Sequence, residues 1–130
     1  MSPRSSQGRD GPSVLLVEDD APLREAVARA LRKNGFSVTP VETGADAVEK
    51  AATLSPDAVV MDLFLPDGGG LGIAREIRKL GGGAGAVPIL FVTALSLPAL
   101  RDELAPAPVL FKPFTQRQLV SSLRELTRQR

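Results

Sequence analysis

Five short apolar runs alternate with longer amphipathic segments along this chain. The apolar runs are rich in Val, Leu and Ile, and their length is typical of strands, which we predict at 13–17, 36–41, 57–62, 88–92 and 108–111. After each run, apolar residues recur at helical spacing. This alternation favours an α/β fold in which right-handed crossovers cover both faces of a parallel sheet.

Cap residues predict where several helices begin and end. Asp20, Thr43 and Thr115 each precede an amphipathic segment and are expected to be N-caps, while Asn34-Gly35 ends the first helix. The regularly spaced apolar residues of the second and third helices are expected to face the core, among them Leu54, Leu71 and Leu80.

Proline and glycine modify three of the predicted elements. Pro40 cannot donate a ladder hydrogen bond, so the second strand should lie at an edge of the sheet. The run 81–85, Gly-Gly-Gly-Ala-Gly, predicts a flexible connection. The fourth helix, 96–104, is short, because Pro98 lies in its first turn and Pro106 follows its end.

Four of the predicted strands end in residues that are unsuited to a core. Glu18 and Asp19 follow the first strand, Asp62 ends the third, Thr93 follows the fourth and Lys112 follows the fifth. In a parallel sheet these ends share one edge, beyond which ligands bind in open α/β folds. The sequence therefore predicts a cleft that contains three carboxylates, a hydroxyl and an amine.

The composition limits the chemistry of that cleft. The chain has no Cys and no His, so a metal there must be a hard ion such as Mg²⁺, Mn²⁺ or Ca²⁺. Two like charges ~4 Å apart repel by roughly 4 kcal/mol at an effective dielectric of about 20. Beyond what Lys112 offsets, a bound cation or a protonated carboxyl must relieve the three acids. With Mg²⁺, the cleft suits phosphoryl transfer to Asp62.

Charge and hydropathy bear on partners and compartment. The net charge is +1, so neither direct nucleic-acid binding nor membrane insertion is expected. No stretch is long and apolar enough to span a bilayer and no secretory leader is recognisable, which makes the cytoplasm the expected compartment. Residues 1–12 are rich in Ser, Gly, Pro and charge, and we predict a disordered tail there, followed by one domain at 13–130.

The strand-end residues and their neighbours resemble the receiver domain of bacterial two-component response regulators. The matching motifs are Val-Glu-Asp-Asp at 17–20, Met-Asp-Leu-Phe-Leu-Pro-Asp-Gly at 61–68, Val-Thr-Ala at 92–94 and Phe-Lys-Pro-Phe at 111–114. Each motif is weak alone, but their order and spacing on a βα repeat are highly specific. The resemblance implies a flavodoxin-like, doubly wound sheet of strand order 2-1-3-4-5, which agrees with an edge position for Pro40.

The resemblance also implies a role for each matching residue. Asp62 is the implied phospho-acceptor, Thr93 the switch hydroxyl and Lys112 the phosphate-binding lysine, whose bond to Pro113 is expected to be cis. The implied Mg²⁺ ligands are Glu18, Asp19, Asp62 and the backbone carbonyl of Phe64. The implied partners are a histidine kinase or phosphotransfer protein and a downstream protein. The chain would be a phospho-acceptor that can catalyse its own phosphorylation and dephosphorylation, rather than an enzyme.

Two departures from the family pattern bear on signalling. The family usually has Tyr or Phe where this chain has Val109, which leaves the usual coupling between the threonine and that ring open. Phe111 is expected on the opposite strand face from Val109 and packed in the core. The segment 93–112 is shorter than usual by about one helical turn, so the fourth helix is expected to be short, displaced or partly irregular.

Two other functions are compatible with these residues. Val109 and the short fourth helix suggest a receiver-like protein-interaction module whose output ignores phosphorylation. A small hydrolase with an Asp nucleophile is disfavoured, because Phe64 stands where a second catalytic Asp would follow Asp62 and because no cap domain is recognisable.

Overall fold

The computed structural model describes residues 11–66 and 69–128, so part of the 61–68 motif and most of the tail predicted at 1–12 lie outside it. The strands are β1 (Ser13–Val17), β2 (Ser37–Val41), β3 (Ala58–Asp62), β4 (Ile89–Thr93) and β5 (Val109–Phe111). The helices are α1 (Ala21–Lys33), α2 (Gly44–Leu54), α3 (Gly69–Arg78), α4 (Ala99–Leu104) and α5 (Gln116–Arg128), and one further helical turn spans Gly82–Gly85. In the described part of the chain, no helix combines the length and apolar composition that crossing a bilayer requires.

The five strands form one parallel sheet in the order β2-β1-β3-β4-β5, which confirms the predicted fold. Pro40 lies on the edge strand β2, where it pairs with Leu16 and is exposed. Its missing N–H therefore removes no bond from the interior of the sheet. Every residue of β3 and β4 is buried, because helices cover both faces.

Two apolar layers hold the helices on the sheet. α1 and α5 cover one face, where Leu31, Leu119 and Leu123 are almost inaccessible. α2 and α3 cover the other face, to which they contribute the buried apolar side chains of Ala47, Ala51, Ile73 and Ile77. Fully burying a side chain of Leu or Ile size contributes about 1.5–3 kcal/mol, so these layers supply the main stabilisation of the sheet.

Three leucines that were predicted to face the core are exposed instead. Leu54, Leu71 and Leu80 have 50%, 40% and 37% of their surface exposed. Leu54 ends α2 and Leu80 lies beyond the end of α3, where helical spacing no longer sets the direction of a side chain. Leu71 lies two residues before the buried Ile73, about 200° around the helix axis.

All three predicted N-caps are confirmed. Asp20, Thr43 and Thr115 each accept a backbone N–H from the following first helical turn, at 2.9, 3.1 and 3.0 Å. The Gln118 side chain accepts the Thr115 N–H in return, at 2.8 Å, which completes a capping box at the start of α5. These caps satisfy backbone donors that the helices themselves cannot pair.

The glycine-rich connection between α3 and β4 has a defined structure. Gly82–Gly85 forms a helical turn, and the Arg78 guanidinium donates hydrogen bonds to the carbonyl oxygens of Gly85 and Val87, at 2.9 and 2.7 Å. The connection is therefore a fixed turn rather than the flexible linker that its composition predicted, because a side chain outside the run supplies the hydrogen bonds.

The helix between β4 and β5 is short, as predicted. α4 has six residues, all of them described, and none of them is buried. Val109 packs against the apolar layer on the α2–α3 face. Phe111 shares that face, since strand residues two apart point to the same side, and the Arg101 guanidinium carbon lies 4.6 Å from the centroid of its ring. The expectation that Phe111 faces the opposite side and packs in the core is therefore wrong.

Candidate functional site

The sheet brings the predicted site residues to one edge. Asp62 and Thr93 are the last residues of β3 and β4, while Glu18 and Lys112 directly follow β1 and β5. Glu18, Asp62 and Thr93 are 3%, 7% and 0% exposed, and they are the only buried polar or charged residues in the ranges that the structure describes. Burial of such groups costs free energy unless hydrogen bonds replace water, so the partners of each group matter.

Lys112 joins two of the predicted carboxylates. Its Nζ atom lies 3.0 Å from Asp62 Oδ2 and 3.1 Å from Glu18 Oε1. The peptide bond between Lys112 and Pro113 is cis, as the resemblance implied. The amine at the end of β5 therefore lies between the acids that follow β1 and end β3.

The second oxygen of Asp62 is held by the loop that follows β3. Asp62 Oδ1 accepts the backbone N–H of Phe64 at 3.0 Å, while the Phe64 ring is largely exposed. The first turn of α3 lies against the same loop, and the Gly70 N–H donates to the Leu63 carbonyl at 2.8 Å. A Cβ at Gly70 would lie 2.5 Å from the Asp62 carbonyl oxygen, so only glycine permits this approach. In the sequence, the run Gly-Gly-Gly at 68–70 is the signal that could have revealed this approach.

Glu18 is held through its side chain and its backbone. Its Oε2 accepts the Asp20 N–H at 3.2 Å, and its carbonyl oxygen accepts a hydrogen bond of 2.8 Å from the Arg24 guanidinium. Arg24 therefore fixes the loop between β1 and α1. No sequence signal distinguished it from the other arginines of α1, because its role depends on the direction in which that loop turns.

Burial and hydrogen bonding act in opposite directions on the pKa values of Glu18 and Lys112. Burial raises the pKa of Glu18, and the nearby Asp62 charge adds to this, while the Asp20 N–H and Lys112 oppose it. For Lys112, burial favours the neutral amine, but hydrogen bonds to Asp62 and Glu18 outweigh it and raise the pKa above its usual value. The lysine is thus held in its charged form by the acids that it contacts.

Asp19 completes a group of three acids. Glu18, Asp19 and Asp62 each offer a carboxylate oxygen, and these oxygens lie within 4.8 Å of one another. Asp19 is exposed, so the group opens to solvent on its side. With all three acids ionised and Lys112 charged, the site has a net charge of −2, which one divalent cation would cancel.

Thr93 lies at the same edge, with its hydroxyl directed to its own loop. Its Oγ1 accepts the Leu95 N–H at 3.0 Å, and its backbone carbonyl accepts the Lys112 N–H at 2.7 Å. Phe111 is its register partner on β5. The threonine is therefore linked to the lysine through the backbone of two neighbouring strands.

Known proteins share both the sequence pattern and the fold. Residues 14–124 match the family described as the response regulator receiver domain. The response regulator MprA of Mycobacterium sp. (strain KMS) is 35% identical in an alignment of 123 residues, and the alignment covers 88% of this chain and 50% of that protein. MprA of Mycobacterium leprae (strain TN) has the same identity and coverage. The chain thus spans half the length of these relatives.

Two solved structures extend the likeness to three dimensions. The receiver domain of the sensor histidine kinase PA1611 from Pseudomonas aeruginosa PAO1, solved with a magnesium ion in its active site cleft, is 34% identical. It aligns with a TM-score of 0.80 over 90% of this chain and 98% of its own. The receiver domain of the Francisella response regulator 1452 has a TM-score of 0.81 over 92% and 98%, and at 24% identity it shows the fold alone. The match of sequence and fold over most of the chain shows that it belongs to the response regulator receiver domain family.

Proposed function

We propose that this chain is a phosphorylatable signalling switch of a two-component phosphorelay, in which Asp62 accepts a phosphoryl group with Mg²⁺. The observation that carries this proposal is the 3.0 Å contact between the buried Asp62 and Lys112, within a group of three carboxylates. A purely structural ion pair needs only one acid, and further acids add repulsion. A site that binds Mg²⁺ explains the additional acids, and a site that then holds a negatively charged phosphoryl group explains the lysine.

The donor set fits Mg²⁺. Carboxylate oxygens are the ligands that this ion prefers, and the three oxygens of Glu18, Asp19 and Asp62 lie within reach of one centre. We include the backbone carbonyl of Phe64 as a further proposed ligand. When bound, Mg²⁺ supplies positive charge that stabilises the phosphoryl oxygens. The magnesium ion in the PA1611 receiver cleft supports the same choice here.

In the transfer step, an Asp62 oxygen forms a bond to the phosphorus of a phosphohistidine donor. The other ring nitrogen of the donor carries a proton. The bond between phosphorus and the imidazole nitrogen breaks, its electron pair stays on that nitrogen, and the ring therefore leaves as neutral histidine. Asp62 becomes an acyl phosphate that carries roughly −1.5 to −2 charge, by analogy with other phosphorylated side chains. Lys112 pairs with the new oxygens, and the Thr93 hydroxyl turns toward them.

Labelling with a small phosphodonor tests this proposal. With acetyl phosphate and Mg²⁺, the wild-type chain should gain the mass of one phosphoryl group, and chelation of Mg²⁺ should prevent the gain. Asp62→Asn should gain none. Asp46→Asn is the matched control, because Asp46 is exposed in the first turn of α2, and this variant should label like the wild type. Full labelling of Asp62→Asn would refute the assignment of the acceptor.

A protein-interaction module whose output ignores phosphorylation is the second candidate function. Val109 favours it, because an aliphatic side chain packs against the apolar layer where the family usually has an aromatic ring. A partner that binds equally well before and after labelling would support this candidate. A change in partner affinity of about tenfold or more, which is ~1.4 kcal/mol, would support the switch.

We extend the proposal to partners and location. The phosphodonor is a histidine kinase or phosphotransfer protein, and the output is contact with a downstream protein in the cytoplasm. The net charge of +1 supports an output without direct nucleic-acid contact or membrane insertion. Self-catalysed gain and loss of the phosphoryl group belong to the same proposal.

A further inference from the structure

An arginine from α4 lies over an aromatic ring next to the proposed phosphate-binding lysine. The Arg101 guanidinium carbon is 4.6 Å from the centroid of the Phe111 ring, inside the ~6 Å range of a cation–π contact. Arg101 is exposed, whereas Phe111 is half-buried at the end of β5. The contact therefore joins a surface helix to the strand that delivers Lys112.

Phe111 is well placed to follow movements of the site. It directly precedes Lys112 and is the register partner of Thr93 on β4. Its strand has only three residues and pairs only with β4, so few hydrogen bonds restrain it. A displacement of the Lys112 side chain can therefore move the end of β5 and the Phe111 ring with it.

α4 is held weakly enough to shift when the end of β5 moves. The helix has six residues, its N-cap residue Pro98 makes no side-chain capping hydrogen bond, and none of its residues, all described, is buried. Leu100 and Leu104 are only partly buried against the core layer. A helix this short is marginal without tertiary contacts, so the Arg101 contact adds to the packing of these two leucines in orienting it.

We propose that Arg101 and Phe111 are positioning residues that couple the phosphorylation site to α4. The inference rests on the proposed function and adds the regulation of the same site. New phosphoryl oxygens on Asp62 compete for the Lys112 ammonium, which then leaves at least one of its present partners, Asp62 Oδ2 or Glu18 Oε1. The end of β5 follows, the ring moves from under the guanidinium, and α4 shifts.

Because the contact is present in the unphosphorylated arrangement, it opposes the change. Coupling between two sites is reciprocal, so removal of the contact should make loading of the site easier. The expected size is roughly two- to fivefold in affinity, which corresponds to an exposed cation–π contact. Arg101→Met removes the cation and keeps an unbranched side chain, whereas Arg101→Lys keeps a charge and should lie between Arg101→Met and the wild type.

The test is a titration with beryllofluoride, which mimics the phosphorylated Asp, in the presence of Mg²⁺, followed by backbone amide NMR. In the wild type, amide shifts should change around Asp62 and also in α4. In Arg101→Met, binding should tighten by the stated factor and the α4 changes should shrink, while those around Asp62 persist. Arg29→Met is the matched control, because Arg29 is an exposed arginine of α1 on the other face, and it should behave like the wild type.

Unchanged or weaker binding of beryllofluoride to Arg101→Met, or α4 shifts as large as in the wild type, would overturn the inference. A second variant, Phe111→Leu, removes the ring and keeps an apolar side chain, so its α4 response should match that of Arg101→Met. Failure of the wild type itself to bind beryllofluoride would refute the proposed function instead, so the two outcomes are distinguishable.

Discussion

Two glycines of α3 should respond in opposite ways to the same substitution. Gly70 lies where the helix touches the end of β3, and an added Cβ would meet the Asp62 carbonyl oxygen at 2.5 Å, Met61 Cγ at 3.0 Å and Leu63 Cα at 3.1 Å. Gly72 lies in the same helix, and an added Cβ there meets nothing within 4 Å. The pair separates the effect of close packing from the effect of removing a glycine.

The expected magnitudes follow from these contacts. Two of the three atoms near Gly70 belong to the backbone and cannot rotate away, so Gly70→Ala should incur an overpacking cost of about 1–3 kcal/mol. In a helix interior, replacement of Gly by Ala stabilises by roughly 0.5–1 kcal/mol, and Gly72→Ala should show this gain alone. Urea unfolding should therefore rank Gly72→Ala above the wild type. Gly70→Ala should lie about 1–3 kcal/mol below Gly72→Ala, which is about 4–12 °C in Tm.

The same pair tests the link to function. Relief of the clash at Gly70 requires α3 or the end of β3 to move, and Asp62 moves with it. Misplacement of a reacting group by 1 Å can cost about a hundredfold in rate, so Gly70→Ala should label more slowly with acetyl phosphate, whereas Gly72→Ala should not. Equal stability and equal labelling rates in the two variants would show that the close approach at Gly70 affects neither the free energy of unfolding nor the position of Asp62.

Two further substitutions address the charges of the site and the base of the sheet. Lys112→Met leaves Glu18 and Asp62 buried without their shared cation, so the free energy of unfolding should fall by about 1–3 kcal/mol, and Mg²⁺ should restore part of the loss in thermal melts. A Tm that does not depend on Mg²⁺ in this variant would contradict the ion's place among the acids. Asp57→Ala removes the carboxylate that accepts the Ser13 N–H at 2.8 Å, which should cost about 1.5–3 kcal/mol and leave acetyl phosphate labelling unchanged. A urea midpoint equal to that of the wild type would contradict it.

The sheet was predictable because its strands are short apolar runs between turn residues. Strands that are buried on both faces of a parallel sheet are apolar at nearly every position, so they are easily recognised in the sequence. Periodicity alone did not yield the order of the strands. The family resemblance implied it, and the only independent constraint was Pro40, which required an edge. The direction in which helical leucines face was less predictable, since Leu71 lies only two residues before the buried Ile73 and is thereby rotated about 200° away from it around the helix axis.

The residues of the site were predictable from topology, but their supports were not. Asp62 and Lys112 are 50 positions apart in the chain, yet Asp62 ends β3 and Lys112 directly follows β5, and a parallel sheet brings such strand ends together. Arg24 acts through the Glu18 carbonyl oxygen, whose position depends on the path of the loop between β1 and α1. No pattern of residue types encodes that path, so this support became visible only in the structure.

The error at Phe111 has a different origin. Residues 109 and 111 lie two apart in a strand, so the alternation of side chains puts both on one face, and the correct assignment was available from the sequence. The contact with Arg101 was not available, because it depends on where a six-residue helix lies relative to a three-residue strand. Short elements carry too few apolar positions to predict their own orientation.

The two edges of the sheet also limit how copies of this chain can associate. Exposed edge strands offer free N–H and C=O groups to another chain and can seed aggregation. At one edge, Pro40 interrupts the row of donors on β2, and at the other, β5 extends for only three residues. Neither edge offers a long template for strand addition. Self-association is thereby directed to the helical faces. A high concentration of the folded chain should not promote the growth of an intermolecular sheet by addition of edge strands.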